Sequence, residues 1–567
     1  MTIQERIAQL VTEATQIAQQ MGDLPADPRA LPEPDIHRPS NPDLGDFATA
    51  LPLKLANQMK MPPMEIAKIL AAYVRNTDLL DRLVGAEFLK NIEPAHPGFV
   101  NFWLKDSWLA AQVESIRKDG PTYFDSTLGE GQRVQVEFVS INPTGPLHVA
   151  HARGGVIGSS LANILKAVGY EVEQEYYFND AGNQIENFQR SLHARYLQLF
   201  DRDAQVPEDG YHGEYMVELA REVRGEIGDS ILYLSVEDAI SELGRAGQAK
   251  ILEAIKKDVK LLRINFDKWF SEASLFQDGQ YDSAMQLLED KGFVAERDGA
   301  VWFASTKLGE DQDKVLVRGS GVPTYFATDV AYHYDKFVKR NFDRVINVLG
   351  ADHQGHVALM KPVVQAMGIA PAKLTLIVHQ MVTLKRGGDV VKISKRSGDI
   401  VTLRELVEEV GVDACRFFFL SRSPDSQMEF DIDLAKKQSA ENPVYYVQYA
   451  HARIAGILRL ATERGIDYED GDLSLLGHEA ELALIRKMLL LPELMVQMAT
   501  ALEPHHLPHY AVELATAYHW FYEKCRVVSS LPEDDELSKA RLKLVDAARI
   551  ALARCLDLMS MDAPDEM

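Results

Sequence analysis

The sequence is poor in cysteine, and its few cysteines are not arranged for bonding or for metal. Cys415, Cys525 and Cys555 lie far apart and form no Cys-x-x-Cys pair. Disulfide frameworks and cysteine zinc sites both depend on characteristic groups of thiols. We therefore interpret the three as small buried side chains in a reducing compartment, and we expect no structural zinc.

Long apolar runs are also lacking. A helix that crosses a membrane needs about 20 predominantly apolar residues, and no uninterrupted run of that kind is present. The first residues, MTIQERIAQLVTEATQIAQQ, are amphipathic and carry acidic side chains, unlike a secretory signal or a basic transit peptide. We therefore expect a cytoplasmic location and no membrane partner.

The sequence also has no excess of positive charge. The chain has 60 lysines and arginines against 84 acidic residues, a formal net charge of −24. Binding to nucleic acid through overall charge is disfavoured, because phosphate contacts depend on lysine and arginine. Net charge is an average, however, and a large acidic protein can still carry a local basic groove.

What the sequence does have is length and organisation. With 567 residues, 46% of them hydrophobic, the chain is too long for one domain. The patterns predict a small α+β N-terminal domain over residues 1–110, a doubly wound α/β domain over 125–425 with a helical insertion at about 183–300, and an all-α bundle over 440–567.

The middle part alternates short apolar runs with helical patterns. Strands are predicted at residues 134–139, 170–178, 344–350 and 373–381, whereas residues 249–270 in the insertion have a helical pattern. Apolar runs that alternate with helices are typical of a parallel sheet. The sequence therefore predicts a doubly wound, Rossmann-like α/β domain.

Two histidines stand where such a sheet binds ligands. In INPTGPLHVAHARGG, residues 141–155, His148 and His151 follow a predicted strand and precede a helical pattern that ends near Gly169. Ligands bind at the carboxyl ends of parallel strands, and the free N–H groups of a helix start favour phosphate. Imidazoles at this turn can donate hydrogen bonds to phosphate oxygens.

A basic loop forms the second motif. VVKISKRSGD, residues 390–399, offers Lys392, Ser394 and Lys395 after a predicted strand. Such a loop can close over a triphosphate and neutralise a departing pyrophosphate. Either motif alone is more often a surface turn or a helix cap. The two together, in this order on the two halves of one domain, are much more specific.

Together the motifs resemble the His-Ile-Gly-His and Lys-Met-Ser-Lys signatures of class I aminoacyl-tRNA synthetases. The wider resemblance is to arginyl-tRNA synthetases of the bacterial type, carried by VEFVSINPTGPLHVAHARGG, NDAGNQI, VPTYFATDVAYHYDKF, GADHQGH and ENPVYYVQYAHARI. It implies activation of L-arginine by ATP with Mg²⁺, transfer of the arginyl group to tRNA(Arg), a requirement for tRNA in the first step, a monomer, and a helical anticodon-binding domain of the DALR type.

The resemblance also implies site residues. The ATP phosphates would contact His148 and His151, and the pyrophosphate Lys392 and Lys395. The other ATP-binding positions it implies are Asn142, Pro143, Thr144, Gly145, Pro146, Leu147, Val149, Ala150, Ala152 and Ser394. For arginine it implies Glu137, Tyr325 and Asp329 at the guanidinium, and Asn142 with His353 at the amino and carboxylate end. No metal site built from protein side chains is expected.

Two other functions remain open from the residues alone. The pairs His148/His151 and His353/His356 could serve a metal-dependent hydrolase, although that leaves KISKRSG and the helical bundle without a role. Ala150 stands where the first signature has glycine, which could indicate a tRNA-binding paralogue without catalysis. The intact histidines and lysines argue against that second alternative.

Overall fold

The computed structural model describes residues 3–26, 30–75, 88–180, 182–351, 354–391, 401–529 and 531–567. The chain divides into two compact units. Unit 1 comprises residues 1–123, 457–488 and 517–550, and unit 2 comprises residues 124–456, 489–516 and 551–567.

The described residues form the following elements. The helices are α1 (Ile3–Met21), α2 (Leu51–Met59), α3 (Pro63–Val74), α4 (Asp106–Asp119), α5 (Val149–Ala167), α6 (Asn183–Gln198), α7 (Glu214–Ile227), α8 (Val236–Leu261), α9 (Ala273–Gln277), α10 (Gln280–Asp290), α11 (Tyr325–Tyr334), α12 (Gln354–Ala366), α13 (Leu403–Val410), α14 (Val412–Leu420), α15 (Ile432–Ala435), α16 (Pro443–Glu463), α17 (Glu479–Met488), α18 (Leu491–Ala501), α19 (His506–Lys524) and α20 (Asp535–Leu558). The strands are β1 (Ile36–His37), β2 (Phe47–Thr49), β3 (Leu89–Ala95), β4 (Phe99–Leu104), β5 (Arg133–Glu137), β6 (Glu171–Phe178), β7 (Lys268–Ser271), β8 (Val294–Arg297), β9 (Ala300–Phe303), β10 (Lys314–Val317), β11 (Arg344–Gly350), β12 (Leu374–His379), β13 (Val382–Arg386), β14 (Asp389–Val390) and β15 (Met428–Asp431).

Unit 1 contains an antiparallel sheet with helices packed on it. Its four strands lie in the order β1-β2-β4-β3, and α3 contacts both β3 and β4. Helix α1 buries Ile7, Leu10 and Ala14, which recur at the helical spacing that the sequence shows. The N-terminal part of the chain is therefore mixed α and β.

Unit 2 is built on a parallel sheet. Its five strands lie in the order β12-β11-β5-β6-β7, and every neighbouring pair is parallel. The four predicted strands are all present, within a few residues of the predicted bounds. Because the order places β5 between strands that come later in the chain, the sheet is doubly wound, as the alternating pattern predicts.

One prediction about the insertion is wrong. The helical pattern over 249–270 ends in the structure at Leu261, and Lys268–Ser271 form the edge strand β7. Arg263 has a φ of +56°, a left-handed conformation that terminates a helix. Asp267 then pairs with β6, because its N–H donates to the carbonyl of Gln174 at 2.8 Å. Pairing between distant segments, rather than local spacing, determines this strand.

Helix α5 covers the middle of the parallel sheet. It contacts β5, β6 and β11 and buries the predicted face of Ile157, Leu161, Ile164 and Leu165. A Cβ atom on Gly158 would lie 2.3 Å from the ring of Phe138, so glycine is what allows the helix to approach the strand this closely.

A buried arginine links α5 to the segment around the basic loop. Arg153 has no exposed surface, and its guanidinium donates to the carbonyls of Gln380, Ser423 and Ser426 at 2.8–2.9 Å. Burial lowers the pKa of Arg153 to about 10. Three carbonyl acceptors thus pair with the two terminal nitrogens of this buried cation, while its Nε has no hydrogen-bond partner among the described residues. They fix the chain just before β13 and just before β15.

The part of the chain after residue 440 is helical, as predicted. Helices α16 to α20 account for most of it, and no strand occurs among its described residues. Among the residues that the structure describes, no helix combines the length and the apolarity needed to cross a membrane. The fold is therefore α/β with a parallel sheet and a helical C-terminal region.

Candidate active site

A cavity of about 910 Å³ lies at the carboxyl ends of all five parallel strands. Its lining includes a residue at or next to the end of each strand: Glu137 at the end of β5, Tyr177 near the end of β6, Glu272 after β7, Gly350 at the end of β11 and His379 at the end of β12. This is where open parallel sheets bind ligands. The predicted residues that line it are Glu137, Asn142, His148, Val149, Ala150, His151, Tyr325 and Asp329.

The loop between β5 and α5 has an unusual backbone. Val139 and Ser140, both in the cavity lining, have φ angles of +68° and +41°. Residues other than glycine rarely adopt such positive φ angles, and each residue that does so costs about 1–3 kcal/mol. The Oγ atom of Ser140 accepts the N–H of Tyr177 at 3.1 Å, so the neighbouring strand β6 holds the loop in place.

The two motif histidines lie together at the start of α5, and we call this pair the histidine turn. Their ring centroids are 3.5 Å apart, and the N–H of His148 donates to Nδ1 of His151 at 3.4 Å. A neutral imidazole that accepts at Nδ1 carries its proton on Nε2. The histidine turn therefore places an imidazole donor beside the free N–H groups of the helix start.

Another part of the lining is acidic. We call Glu137, Glu272 and Asp329 the acidic wall, because all three line the cavity. Burial, followed by the charges of Glu137 and Glu272, raises the pKa of Asp329 to about 7. Asp329 keeps part of its surface open to the cavity, but the walls enclose it and restrict its hydration. Burial also raises the pKa of Glu272.

A buried lysine lies behind the acidic wall. Nζ of Lys336 is 2.5 Å from Oε2 of Glu137 and 3.0 Å from Oδ1 of Asn347. It also lies 4.0 Å from the ring centroid of Tyr332. The lysine side chain has no exposed surface, and that of Glu137 is 7% exposed. The wall thus combines three carboxylates with one resident ammonium, and it attracts a cation.

Tyrosines complete the acidic wall. Tyr177 donates a short hydrogen bond to Glu272, and burial raises the pKa of Tyr177 well above its ordinary value. Tyr325 begins α11 and is 47% exposed, four residues before Asp329 on the same helix. Both line the cavity, as the spacing predicts for a helix.

His333 supports the same helix without contributing charge. Its Nδ1 lies 2.8 Å from the carbonyl oxygen of Asp329, and burial, with the nearby Lys336 charge, lowers the pKa of His333 to about 3. The ring is therefore neutral at physiological pH, and the acidic wall keeps its negative character.

Several predicted ATP-binding residues are not in the cavity lining. These are Pro143, Thr144, Gly145, Pro146, Leu147 and Ala152. Instead, the carbonyl of Thr144 accepts the hydroxyl of Tyr215 at 2.8 Å, and Leu147 and Ala152 are buried. His353, Lys392, Ser394 and Lys395 lie outside the described residues, so their predicted roles stay predictions.

The structure adds residues that the sequence patterns did not indicate. Lys336, Glu272, Tyr177 and Asn347 all belong to the acidic wall or contact it. Glu272 was missed because β7 was predicted as helix, and the residue after a parallel strand would otherwise have been a candidate. Lys336 carries no signal in the sequence, since only folding brings it to Glu137.

The arrangement matches a defined class of enzyme. The features are those of a class I aminoacyl-tRNA synthetase: a parallel sheet, a His-x-x-His turn at the start of the helix after its first strand, and one cavity that contains both the histidine turn and the acidic wall. In agreement, residues 112–419 match the model of the class I tRNA synthetase (R) catalytic domain. Residues 1–104 match the arginyl tRNA synthetase N-terminal domain, and residues 447–567 the DALR anticodon binding domain.

Known proteins resemble the whole chain. An arginine–tRNA ligase from Dehalococcoides mccartyi strain CBDB1 is 53% identical over 100% of this chain and 99% of its own length. One from Carboxydothermus hydrogenoformans is 46% identical over 94% of each chain. The solved structure of the Thermus thermophilus arginyl-tRNA synthetase matches all of both chains with a TM-score of 0.76 at 23% identity. A candidate arginyl-tRNA synthetase from Campylobacter jejuni covers 82% of this chain and 100% of its own, with a TM-score of 0.74 at 31% identity.

The chain therefore belongs to the arginyl-tRNA synthetase family. Its activity is the ligation of arginine to tRNA, as the resemblance of its motifs implies. Neither the metal-dependent hydrolase nor the inactive paralogue is favoured, and among the residues that the structure describes no group of three or more histidines, cysteines or acids could hold a metal ion.

Proposed function

We propose that the acidic wall selects arginine. The guanidinium would enter between Glu137 and Asp329, with Glu272 nearby and Tyr325 as a hydrogen-bond partner. A planar guanidinium meets carboxylates through paired, charge-assisted hydrogen bonds, and a lysine ammonium cannot reproduce that geometry. The observation that carries this assignment is the cluster of three carboxylates in one cavity with the histidine turn.

The histidine turn would hold ATP. His148 and His151 would donate to the phosphates, and the start of α5 would add its N–H groups and its dipole. Mg²⁺ would arrive bound to ATP rather than in a cage of protein ligands. Arginine's carboxylate then attacks the α-phosphate and releases pyrophosphate, which Lys392 and Lys395 would neutralise, with Ser394 on the same loop. Asn142 and His353 would hold the amino and carboxylate end of arginine.

The remaining parts of the chain would hold tRNA. We assign residues 1–110 to a tRNA-contacting domain, 125–425 to catalysis with an insertion at about 183–300, and 440–567 to anticodon binding. The ranges matched by the family models support this division. We expect a monomer in the cytoplasm, with tRNA(Arg) as its partner.

Arginine-dependent exchange of pyrophosphate into ATP tests the proposal. We expect exchange with arginine alone among the amino acids, and only when tRNA is present. Lysine and citrulline are the critical controls. Lysine carries a positive charge but no planar guanidinium, and citrulline has a planar group of nearly the same shape but no charge. Exchange with lysine would show that the acidic wall does not select arginine. No exchange with any amino acid would favour the inactive tRNA-binding paralogue, with Ala150 as the residue to test.

A further inference from the structure

We propose that Lys336 is a positioning residue for arginine recognition, acting through Glu137. Its ammonium binds one carboxylate oxygen of Glu137 from the buried side, and so presents the other oxygen to the cavity. This inference rests on the proposed role of Glu137 in holding the guanidinium, and it adds a residue that does not itself touch the substrate.

The position of Lys336 is fixed from several directions. Nζ donates to Oε2 of Glu137 at 2.5 Å and to Oδ1 of Asn347 at 3.0 Å, and it lies over the ring of Tyr332. Glu137 and Asn347 are paired residues on the adjacent strands β5 and β11. The ammonium therefore connects two neighbouring strands of the sheet at the floor of the cavity.

The backbone around Lys336 is also unusual. Residues Asp335–Lys339 continue α11 as a π-helical turn, a rare conformation that is frequent at functional sites. Asp329, which belongs to the acidic wall, lies on the preceding α-helical turns of the same helix. One helix thus carries both a member of the wall and the cation behind it.

Burial explains why the lysine is needed. Lys336 has no exposed surface and the side chain of Glu137 is 7% exposed, so neither charge can rely on water. Without Lys336, no cation would hold the Glu137 carboxylate from the buried side, and the guanidinium site would lose an oriented acceptor. Loss of one partner of such a buried pair weakens binding by about 30-fold or more.

The test is a double-mutant cycle with Lys336→Met and Glu137→Gln, measured by pyrophosphate exchange with tRNA present. We expect each single variant to raise the KM for arginine by about 30-fold or more, while the KM for ATP stays within about twofold. The double variant should be no worse than Glu137→Gln, because Lys336 acts only through that carboxylate. The exposed Lys339→Met, three residues along the same helix, is the control and should behave as wild type.

The possible failures are distinguishable. If Glu137→Gln leaves the KM for arginine unchanged, the proposed role of Glu137 is wrong and the inference is wrong with it. If Glu137→Gln has the expected effect but the double variant is clearly worse, or if Lys336→Met lowers the KM for arginine, only the positioning role is overturned. Equal increases in both KM values would show a merely structural lysine.

The single Lys336→Met variant leaves a buried carboxylate without its partner and could fail to fold. The comparison of Glu137→Gln with the double variant then decides the question, because the double variant contains no unpaired buried charge. An arginine KM of the double variant that is no higher than that of Glu137→Gln supports the inference, and a clearly higher one overturns it.

Discussion

The acidic wall and the histidine turn share one cavity but are held in different ways. The wall consists of two buried carboxylates, Glu137 and Glu272, and the partly buried Asp329. Direct hydrogen bonds hold it from behind, such as that from Lys336 to Glu137 at 2.5 Å. The histidine turn lies at a helix start, where the centroids of two tilted rings are 3.5 Å apart and the backbone N–H groups supply much of the positive potential. Recognition of a cationic side chain needs fixed buried charge, whereas recognition of phosphate can use the backbone.

The largest test of this contrast is Asp329→Asn. The variant keeps the shape of the wall but removes a carboxylate that we propose faces the guanidinium, so we expect kcat/KM for arginine to fall by about 10³-fold. The KM for ATP should stay within about twofold. Pyrophosphate exchange at varied arginine and ATP concentrations provides the measurement, with the exposed Asp282→Asn as the control. A matching loss of ATP affinity would contradict the separation of the two regions.

The reciprocal test is His151→Ala. If His151 donates to the phosphates as we propose, its removal should lower kcat for pyrophosphate exchange by about 10²-fold, while the KM for arginine changes little. The exposed His212→Ala is the matched control. If arginine binding is lost together with turnover, the histidine turn also shapes the acidic wall, and the two regions are not independent.

The pH dependence of the KM for arginine should distinguish the acidic wall from the histidine turn. Asp329 has a pKa of about 7, and the charged groups that act on it are Glu137, Glu272 and Lys336. Below this pKa the side chain is protonated, so the guanidinium must displace a proton. The KM for arginine should therefore fall by about tenfold between about pH 6 and pH 8 and then level off.

Calorimetry can check whether arginine binding is coupled to loss of a proton from Asp329. Arginine binding near neutral pH should release part of a proton, detected as a dependence of the binding enthalpy on the ionisation enthalpy of the buffer. Asp329→Asn should abolish that dependence. Proton uptake on binding, or an arginine KM that rises with pH, would contradict the raised pKa.

The smallest expected effect comes from Ala150→Gly in the histidine turn. Ala150 lines the cavity and stands where the class signature has glycine. Removal of one methyl group should lower the KM for ATP by about threefold, the scale of one CH₂ in a packed contact. Arginine affinity should not change. A tighter arginine KM in this variant would show that the methyl group acts on both regions.

Much of the site could be predicted because it depends on local patterns. The four apolar runs became strands of the parallel sheet, and His148 and His151 lie at the turn that the break at residues 142–146 predicts. Tyr325 and Asp329 share a helix because their spacing of four residues fits one. The helical pattern over 249–270 gave a wrong prediction for its last residues. Lys268–Ser271 form a strand because they pair with β6, although their own periodicity is helical.

The sequence by itself determined the parallel sheet, the histidine turn and the family, because strand runs, glycine breaks and the two signatures are short-range features. The family resemblance also pointed to Glu137 and Asp329, but only the tertiary structure added Glu272 and Lys336 to them. Glu137, Glu272 and Asp329 come from three separate elements, and Lys336 reaches Glu137 across 199 residues of chain. A buried charge is stable only beside its partner, and which partner it finds depends on how the strands order themselves, which no local pattern encodes.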